Sequence, residues 1–388
     1  MKFIFMHRIH LLLIATALML SAGCIGCMSS HDEEPPIVNG KPQPDPDDDI
    51  VLLSIKINLS NTDSSTSMAT RTGEEYEPDK WAANDLEKMH TVRVIILNSA
   101  GFVEHNSLWD LTAAPDIKAT GEDFPVTAPD DKTILLFANE QWAKVRKPDG
   151  SVLPASEYLS GLSAHAGVKA DMTEIRAITH SLADNTSSTN PNCLAGPLAM
   201  SAIHSYHVDK DRDKYSATFN IHRAAVKYTY RFTNQDTEES HSVDNISINN
   251  IADRQYLFPN ADFTDESQMF FSEYRTPAGA GRQIVVLNTG RTINPGETLE
   301  LGPFYFPESE VVESTSPYST AFTFDGIYTG WCDLNWAVPQ FPDKTALMTD
   351  LPRNTHVIVN VKFSYSKYII NYTVCPWDSH EVDLPDFN

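Results

Sequence analysis

The stretch IVLLSIKINL at residues 50–59 decides the fold, because it opens as an apolar run and alternates strictly between apolar and polar residues from Leu53 onward. Alternation with a period of two is typical of a β-strand with one buried face. Similar signals recur at residues 92–97, 132–138, 217–232, 242–248, 283–288, 297–306, 356–365 and 368–374. Helix signals are few and fall at residues 84–90 and in the irregular stretch 140–177. Many short strands with few helices predict an all-β protein of two tandem β-sandwich domains.

Length and charge limit the classes of function. At 388 residues the chain is long for one domain and comfortable for two. Asp and Glu number 52 against 29 Lys and Arg, which gives a formal net charge of −23. Such an acidic surface repels nucleic acid, and no basic stripe offsets it, so we expect no nucleic-acid partner.

The N-terminus has the parts of a secretory signal. Lys2 and Arg8 precede an apolar run at residues 9–20, and small residues then lead to Cys24. The run is too short for a membrane-spanning helix, which needs about 20 residues. Cys24 follows Ala-Gly as in a lipobox, although Ser stands three positions earlier where that pattern prefers Leu. We expect a signal peptide at residues 1–23 and an outer-membrane lipoprotein anchored through two acyl chains on Cys24. The alternatives are lipidation at Cys27, which follows Ile25 and Gly26, and an ordinary cleaved signal with incidental cysteines.

The rest of the chain divides into a tether and two domains. Residues 24–49 are rich in Pro, Asp and Glu, a composition that keeps a segment extended and unpacked. We expect one β-sandwich at residues 50–208 and a second at 209–388, with the boundary in a polar, charged stretch. Three cysteines lie in these domains, an odd number from which no disulfide pairing follows: Cys193, Cys332 and Cys375.

No motif points to catalysis. GLSAH at residues 161–165 has the Gly and Ser of a nucleophile elbow but lacks its final Gly. DKDRD at residues 209–213 supplies the first acidic positions of a calcium loop, but Lys214 and Asn220 stand where that loop needs Gly and Glu. We therefore predict that the protein is not an enzyme and that it uses no metal or cofactor.

A series of short segments forms a second pattern. In chain order they are TRT (70–72), VRVIILNSAG (92–101), LLFAN (135–139), PLAMS (197–201), IHRAAVK (221–227), QYLFP (255–259), PFYFPES (303–309), LPRNT (351–355) and VCPW (374–377). Together with the first strand and the lipobox, they resemble the fimbrillins, the type V pilin family of fimbrial subunit lipoproteins. The resemblance spans nearly the whole ordered chain. It implies two transthyretin-like β-sandwiches and a structural subunit (stalk, tip or anchor) of a cell-surface fimbria that contributes to adhesion.

The resemblance also implies a mechanism of assembly. In that family a trypsin-like protease cuts after an Arg and releases the first strand, and an extended segment of another subunit fills the groove that is left. Arg71 is the corresponding cleavage candidate here. The partners implied are other fimbrial subunits, the protease, the outer membrane and an adhesion target. The strand expected to leave carries Ile50, Leu52, Ile55, Ile57 and Leu59, and the candidate donor tail carries Val382, Leu384 and Phe387, interrupted by Pro385.

A surface glycan-binding lipoprotein of a nutrient-uptake system is the alternative function. It would share the anchor, the tether and the sandwiches, and would stack sugars on Trp331, Trp336 and Trp377. Arg223 and Lys227 are four residues apart on one predicted strand, so they share a face. We expect both to extend from an exposed side of that strand.

Overall fold

The computed structural model describes residues 37–38, 41–42, 49–60, 84–147, 149–162, 167–185, 192–258, 276–277, 279–309, 319–333, 353–364 and 367–377. Several residues named above lie outside these ranges, and their predicted roles stay predictions: Cys24, Arg71, Trp336, Val382, Leu384 and Phe387.

The described residues are mostly strands. Those in the first half are β1 (Ile37–Val38), β2 (Lys41–Pro42), β3 (Asp49–Leu59), β4 (Thr91–Leu97), β5 (Val103–Asp110), β6 (Lys118–Ala128), β7 (Asp130–Ala138), β8 (Ala143–Arg146), β9 (Val152–Pro154), β10 (Thr179–Ser181), β11 (Met200–Val208) and β12 (Lys214–Arg223). Those in the second half are β13 (Val226–Asn234), β14 (His241–Ala252), β15 (Arg254–Tyr256), β16 (Arg282–Ile293), β17 (Thr298–Phe306), β18 (Ser319–Phe324), β19 (Tyr328–Asp333), β20 (Thr355–Ser364) and β21 (Lys367–Pro376).

Helices are short in the described part of the chain. They are the α-helices α1 (Ala155–Gly161) and α2 (Met172–Arg176) and the 3-10 turns Asp85–Glu87, Glu140–Trp142 and Leu182–Asp184. None of the described helices has the length and hydropathy of a membrane span. The predicted all-β class is therefore confirmed, with the minor helices near the places where the sequence suggested them.

The first sandwich is a seven-stranded sheet in the order β5-β4-β7-β11-β12-β3-β6. Strands β11 and β12 pair at only two positions, Met200 with Arg223 and Ser201 with His222. The sheet turns at this corner, because the side chains of β12, β3 and β6 share one core with those of β4, β7 and β11. Alternation along β3 supplies five members of that core.

The central strands of this sandwich are buried on both faces. In β4, Val92, Val94 and Ile96 face the sandwich core, whereas Ile95 and Leu97 face a second core. That second core is covered by α1, α2 and a small sheet in the order β15-β10-β8-β9. A strand buried on both faces reads as a continuous apolar run, which explains the lack of alternation in VRVIIL.

The second sandwich stacks two four-stranded sheets. Their orders are β17-β13-β20-β21 and β16-β14-β18-β19. Their core is aromatic: the ring of Phe322 lies 6.0 Å from that of Tyr230 and 5.4 Å from that of Phe232, both edge to face. Such pairs add to the free energy gained from buried area.

The chain passes between the sandwiches at Ala224 and Ala225. The sequence predicted one strand over residues 217–232 and a domain boundary after Val208, but β12 pairs in parallel with β3 of the first sandwich. The next strand, β13, belongs to the second sandwich. The change of sheet therefore falls between Arg223 and Val226, and the domain division that we now propose is there.

Candidate functional site

Strand β3 lies inside its sheet with hydrogen-bonded neighbours on both sides. It pairs in parallel with β12, from Leu52 opposite Lys214 to Leu59 opposite Ile221. On its other side it pairs antiparallel with β6, from Asp49 opposite Ala128 to Asn58 opposite Lys118. A strand held along both edges leaves two rows of unsatisfied backbone groups if it is withdrawn.

The inward face of β3 consists of its odd-numbered residues. Five of them are almost fully buried, with exposures of 4, 0, 1, 0 and 3%: Val51, Leu53, Ile55, Ile57 and Leu59. Of the side chains expected on this strand, Ile55, Ile57 and Leu59 therefore face the core. Ile50 is 53% exposed and Leu52 40% exposed, so both point outward. The run IVLL is apolar on both faces, and only the alternation after Leu53 fixes which set faces inward.

The five inward side chains are a large share of the sandwich core. At about 1.5–3 kcal/mol for each buried aliphatic side chain, together they contribute on the order of 10 kcal/mol. Their neighbours include Phe124 of β6, Phe219 of β12 and Leu136 of β7. A strand held this strongly stays in place after a single backbone cut elsewhere unless another segment replaces it with comparable apolar contacts.

A polar contact bridges the outer side of β3. Asp123 of β6 accepts a hydrogen bond from the Ser54 hydroxyl. It also forms an ion pair with Lys214 of β12, whose Nζ lies 2.6 Å from Asp123 Oδ2. The hydrogen bond from Lys214, aided by that from Ser54, lowers the pKa of Asp123. We call these three residues the Asp123 clasp. Because all three are accessible to solvent, the clasp orients the strands more than it stabilises them.

The family-like segments meet at a second place, between the two sandwiches. Glu87 is buried there, 3.2 Å from Lys227 Nζ, and accepts a hydrogen bond of 2.7 Å from the Tyr305 hydroxyl. Trp377 is 0% exposed, stacks on Tyr305 at 5.6 Å and lies 4.5 Å below the Arg223 guanidinium. We call Glu87, Arg223, Lys227, Tyr305 and Trp377 the junction cluster. Burial, and next to it the charge of Glu87, raises the pKa of Tyr305.

The expectation that Arg223 and Lys227 extend from an exposed face was wrong. Arg223 is 0% exposed and Lys227 3% exposed. The two residues lie on different strands, Arg223 at the end of β12 and Lys227 on β13. Trp377 covers both side chains and Glu87 lies against Lys227, although both are far away in the sequence. Their charges are offset by the Glu87 carboxylate and by the indole ring, as buried cations require.

A neighbouring buried ion pair connects the LPRNT and QYLFP segments to PFYFPES. The Arg353 guanidinium pairs with the Glu308 carboxylate and donates to the backbone carbonyls of Tyr256 and Leu257. The Glu308 N–H in turn donates to the Gln255 side chain at 2.6 Å. The LPRNT, PFYFPES and QYLFP segments thus meet in one hydrogen-bonded network. Their residues hold the fold together.

Of the three tryptophans expected to stack sugars, Trp377 is excluded by its burial, and Trp336 lies outside the described residues. Trp331 of β19 is 59% exposed, but Trp377 is fully buried in the junction cluster and cannot stack a ligand. The DKDRD stretch is an exposed turn in which the Tyr215 hydroxyl bonds to the Asp211 carboxylate. Cys193 is buried, and burial raises its pKa to about 11.

Sequence reasoning missed Asp123, Lys214 and Glu87. Asp123 lies on a strand that was not predicted, because KATGEDFPVTA has few apolar residues and contains both Gly and Pro. Glu87 follows the N-cap Asn84, whose side chain accepts from the backbone of Leu86 and Glu87. That capping pattern was the only local signal, and it does not reveal burial.

Solved structures with a similar fold come from Bacteroidetes fimbrial and adhesion proteins. One is a candidate cell adhesion protein of Parabacteroides distasonis ATCC 8503, with 15% identity and a TM-score of 0.51 over 84% of this chain and 97% of that chain. Another is the tip fimbrial protein Mfa3 of Porphyromonas gingivalis with a C-terminal truncation, with 15% identity and a TM-score of 0.50 over 85% of this chain and 100% of that chain. No protein-family model matches the chain, and no curated protein matches it. At these identities the likeness shows the fold, and at that level it confirms the resemblance to fimbrillins.

Proposed function

We propose that the protein is a structural subunit of a cell-surface fimbria that contributes to adhesion. The observation that carries the proposal is the position of β3. It is the strand that precedes Arg71, it is interior to its sheet, and it fills one face of the sandwich with five apolar side chains. A groove of that kind accepts a strand from another chain once its own strand has gone. The fold shared with fimbrial proteins supports the same role.

Cleavage after Arg71 by a trypsin-like protease would free β3 from the chain that follows it. Departure of the cut strand would also remove everything before it, including the proposed lipid anchor on Cys24 and its attachment to the outer membrane. The Asp123 clasp and the inward side chains would still hold the cut strand. Release therefore requires a competing strand, and exchange is coupled to assembly with another fimbrial subunit.

The donor tail has fewer apolar side chains on one face than the strand that it would have to replace. Val382 and Leu384 are two residues apart and share a face in an extended segment, whereas Phe387 falls on the other face and Pro385 removes a backbone donor. Two apolar side chains cannot match the five of β3. We therefore propose a terminal position, at the tip or the anchor, which requires one strand partnership and not two.

A disulfide lock across β3 tests the proposal. Ser54 and Asp123 are opposite each other on β3 and β6 and their side chains touch, so Ser54→Cys with Asp123→Cys places two thiols within bonding reach. Protein cut by a trypsin-like protease and mixed with sheared fimbriae should enter high-mass species in an unheated gel. The oxidised double variant should remain at monomer mass, and reduction should restore its incorporation. Ser54→Cys alone is the matched control.

Incorporation of the oxidised lock at the wild-type level would rule out exchange of β3. N-terminal sequencing of protein shed from cells provides an independent check of processing. A start at residue 72 supports cleavage at Arg71, and a start at Cys24 alone contradicts it.

Glycan binding at the surface is the second candidate function, and the 59% exposure of Trp331 favours it. A single exposed indole can stack on a sugar ring, although the buried Trp377 cannot take part. Affinity electrophoresis in gels that contain polysaccharide tests the idea. Retardation that is lost in Trp331→Ala would support it, whereas equal mobility with and without polysaccharide would exclude it for that glycan.

A further inference from the structure

One end of the second sandwich brings together two carboxylates from the loop after β13 and a histidine at the start of β14. Asp236, Glu239 and His241 each offer one ligand atom, and these atoms all lie within 4.8 Å of one another. We propose that these three side chains form a binding site for a divalent transition metal, with Zn²⁺ as the best-fitting ion. The site is independent of the fimbrial role.

The spacing of the donor atoms fits the ion. His241 Nε2 lies 3.2 Å from Asp236 Oδ2. Ligand atoms that bind Zn²⁺ tetrahedrally at about 2.0–2.2 Å are about 3.3 Å apart. These two atoms are therefore already spaced as two ligands of one Zn²⁺ ion would be. Glu239 is exposed and can complete the third corner by a change of rotamer. An imidazole with two carboxylates suits Zn²⁺, whereas Ca²⁺ takes oxygen ligands.

Asp325 orients the imidazole of His241 from the side opposite the proposed metal ligands. Its Nδ1 lies 2.7 Å from Asp325 Oδ2, and the other Asp325 oxygen accepts the Ser242 N–H at 2.7 Å. With Nδ1–H donated to Asp325, Nε2 is directed at Asp236, to which it donates without a metal and beside which its lone pair would bind an ion that displaces the Nε2 proton. A carboxylate behind a ligating histidine is the usual arrangement at zinc sites, where it fixes the ring and its tautomer. The ring also packs edge to face on Phe363, at 5.5 Å.

The loop that carries the ligands is fixed at its base. Asn234 is fully buried, and its side chain accepts from the Asp236 N–H at 2.9 Å and donates to the Glu239 carbonyl at 2.8 Å. The same amide also donates to the Ile293 carbonyl. Asp236 Oδ1 accepts the Thr237 N–H, which turns Oδ2 toward the imidazole. The three ligands are therefore held near one another before a metal arrives, which lowers the entropic cost of binding.

Titration of the purified protein with Zn²⁺ alone tests the site, with the protein prepared without a polyhistidine tag. Calorimetry should show saturable binding of one ion, and Zn²⁺ should raise the melting temperature. Glu239→Gln should weaken binding by more than about tenfold and abolish the rise in melting temperature. Glu238→Gln is the matched control, because it makes the same change one residue away on the same exposed loop, and it should bind as the wild type does.

One further variant and a Co²⁺ spectrum separate a metal site from adventitious binding at cysteines or other histidines. Asp325→Asn leaves the three ligands intact and should weaken Zn²⁺ binding by about 10- to 100-fold through loss of the orienting contact. Co²⁺ bound in place of Zn²⁺ should give the intense visible absorption of a tetrahedral site, and Glu239→Gln should remove it. Equal Zn²⁺ affinity in Glu239→Gln and Glu238→Gln, or no saturable binding to the wild type, would overturn the proposal.

Discussion

Trp331 and Trp377 show how far the environment of a residue decides its role. Both were candidates for sugar stacking, yet one is 59% exposed and the other 0% exposed, between Tyr305 and two cations. Trp377→Ala should lower the free energy of unfolding by about 3–5 kcal/mol, because it opens a cavity under buried charges. Trp331→Ala should change it by less than about 0.5 kcal/mol. Urea denaturation of the two variants makes the comparison, and similar midpoints would contradict the burial of Trp377.

His180 makes stability depend on pH. The side chain is fully buried, and burial lowers its pKa from 6.5 to about 4, while nearby Asp184 and Arg353 oppose each other. The unfolded chain therefore binds more protons between these values, so stability is full above pH 6.5 and falls as pH decreases toward 4. The slope is about 1.4 kcal/mol per pH unit for one such group.

Urea midpoints measured from pH 7 to pH 4 test this dependence. His180→Gln should flatten part of the fall. His222, whose pKa burial lowers to about 3, and His204, whose pKa burial also lowers, contribute to the remainder. The exposed Gln141 carries no titrating group, so Gln141→Ala is the control and should keep the wild-type slope. A wild-type slope retained in His180→Gln would show that His180 is charged in the folded protein.

At the scale of elements, strands with an apolar face or a fully apolar run could be predicted from the sequence, and polar or small-residue strands could not. Strands β3, β4, β7 and β20 were located to within a few residues because burial on one or both faces leaves a mark in the sequence. Strand β6 was missed because it lies at the edge of its sheet, where Pro and Gly are tolerated. Strands β12 and β13 were merged because Ala224 and Ala225 provide no breaker. They are distinguished only by the sheets in which they pair.

The phase of β3 can be tested with two adjacent leucines. Leu53 is 0% exposed and Leu52 40% exposed. Leu53→Ala should cost about 2–5 kcal/mol of stability, as expected for a buried leucine, and Leu52→Ala less than about 1 kcal/mol. Urea denaturation gives both values. A larger effect at Leu52 would mean that the strand is shifted by one residue, so that the even-numbered set faces inward.

At the scale of the whole molecule, the candidate site was only partly predictable. The sequence predicted strand β3 and its apolar inward face, because both are local properties, whereas departure of that strand is implied by the resemblance and stays a prediction. The Asp123 clasp and the junction cluster join residues that are far apart in the chain, such as Glu87 with Lys227 and Tyr305. No local pattern carries such pairings. The IHRAAVK and VCPW segments identified residues that matter, but not that they meet or that they are buried.

The junction cluster should make the two sandwiches unfold together. Glu87 lies in the 3-10 turn that precedes β4 of the first sandwich, and its side chain contacts Lys227 and Tyr305 of the second. In Glu87→Ala the Lys227 ammonium stays buried without its carboxylate, which costs about 3–5 kcal/mol and weakens the contact between the sandwiches. Calorimetry should then change from one unfolding transition to two, with the second sandwich melting separately from the first. Glu157→Ala, on the exposed side of α1, is the control and should keep a single transition. One transition at a lower temperature in Glu87→Ala would instead mean that the apolar contacts around Leu198 and Trp377 couple the sandwiches without the ion pair.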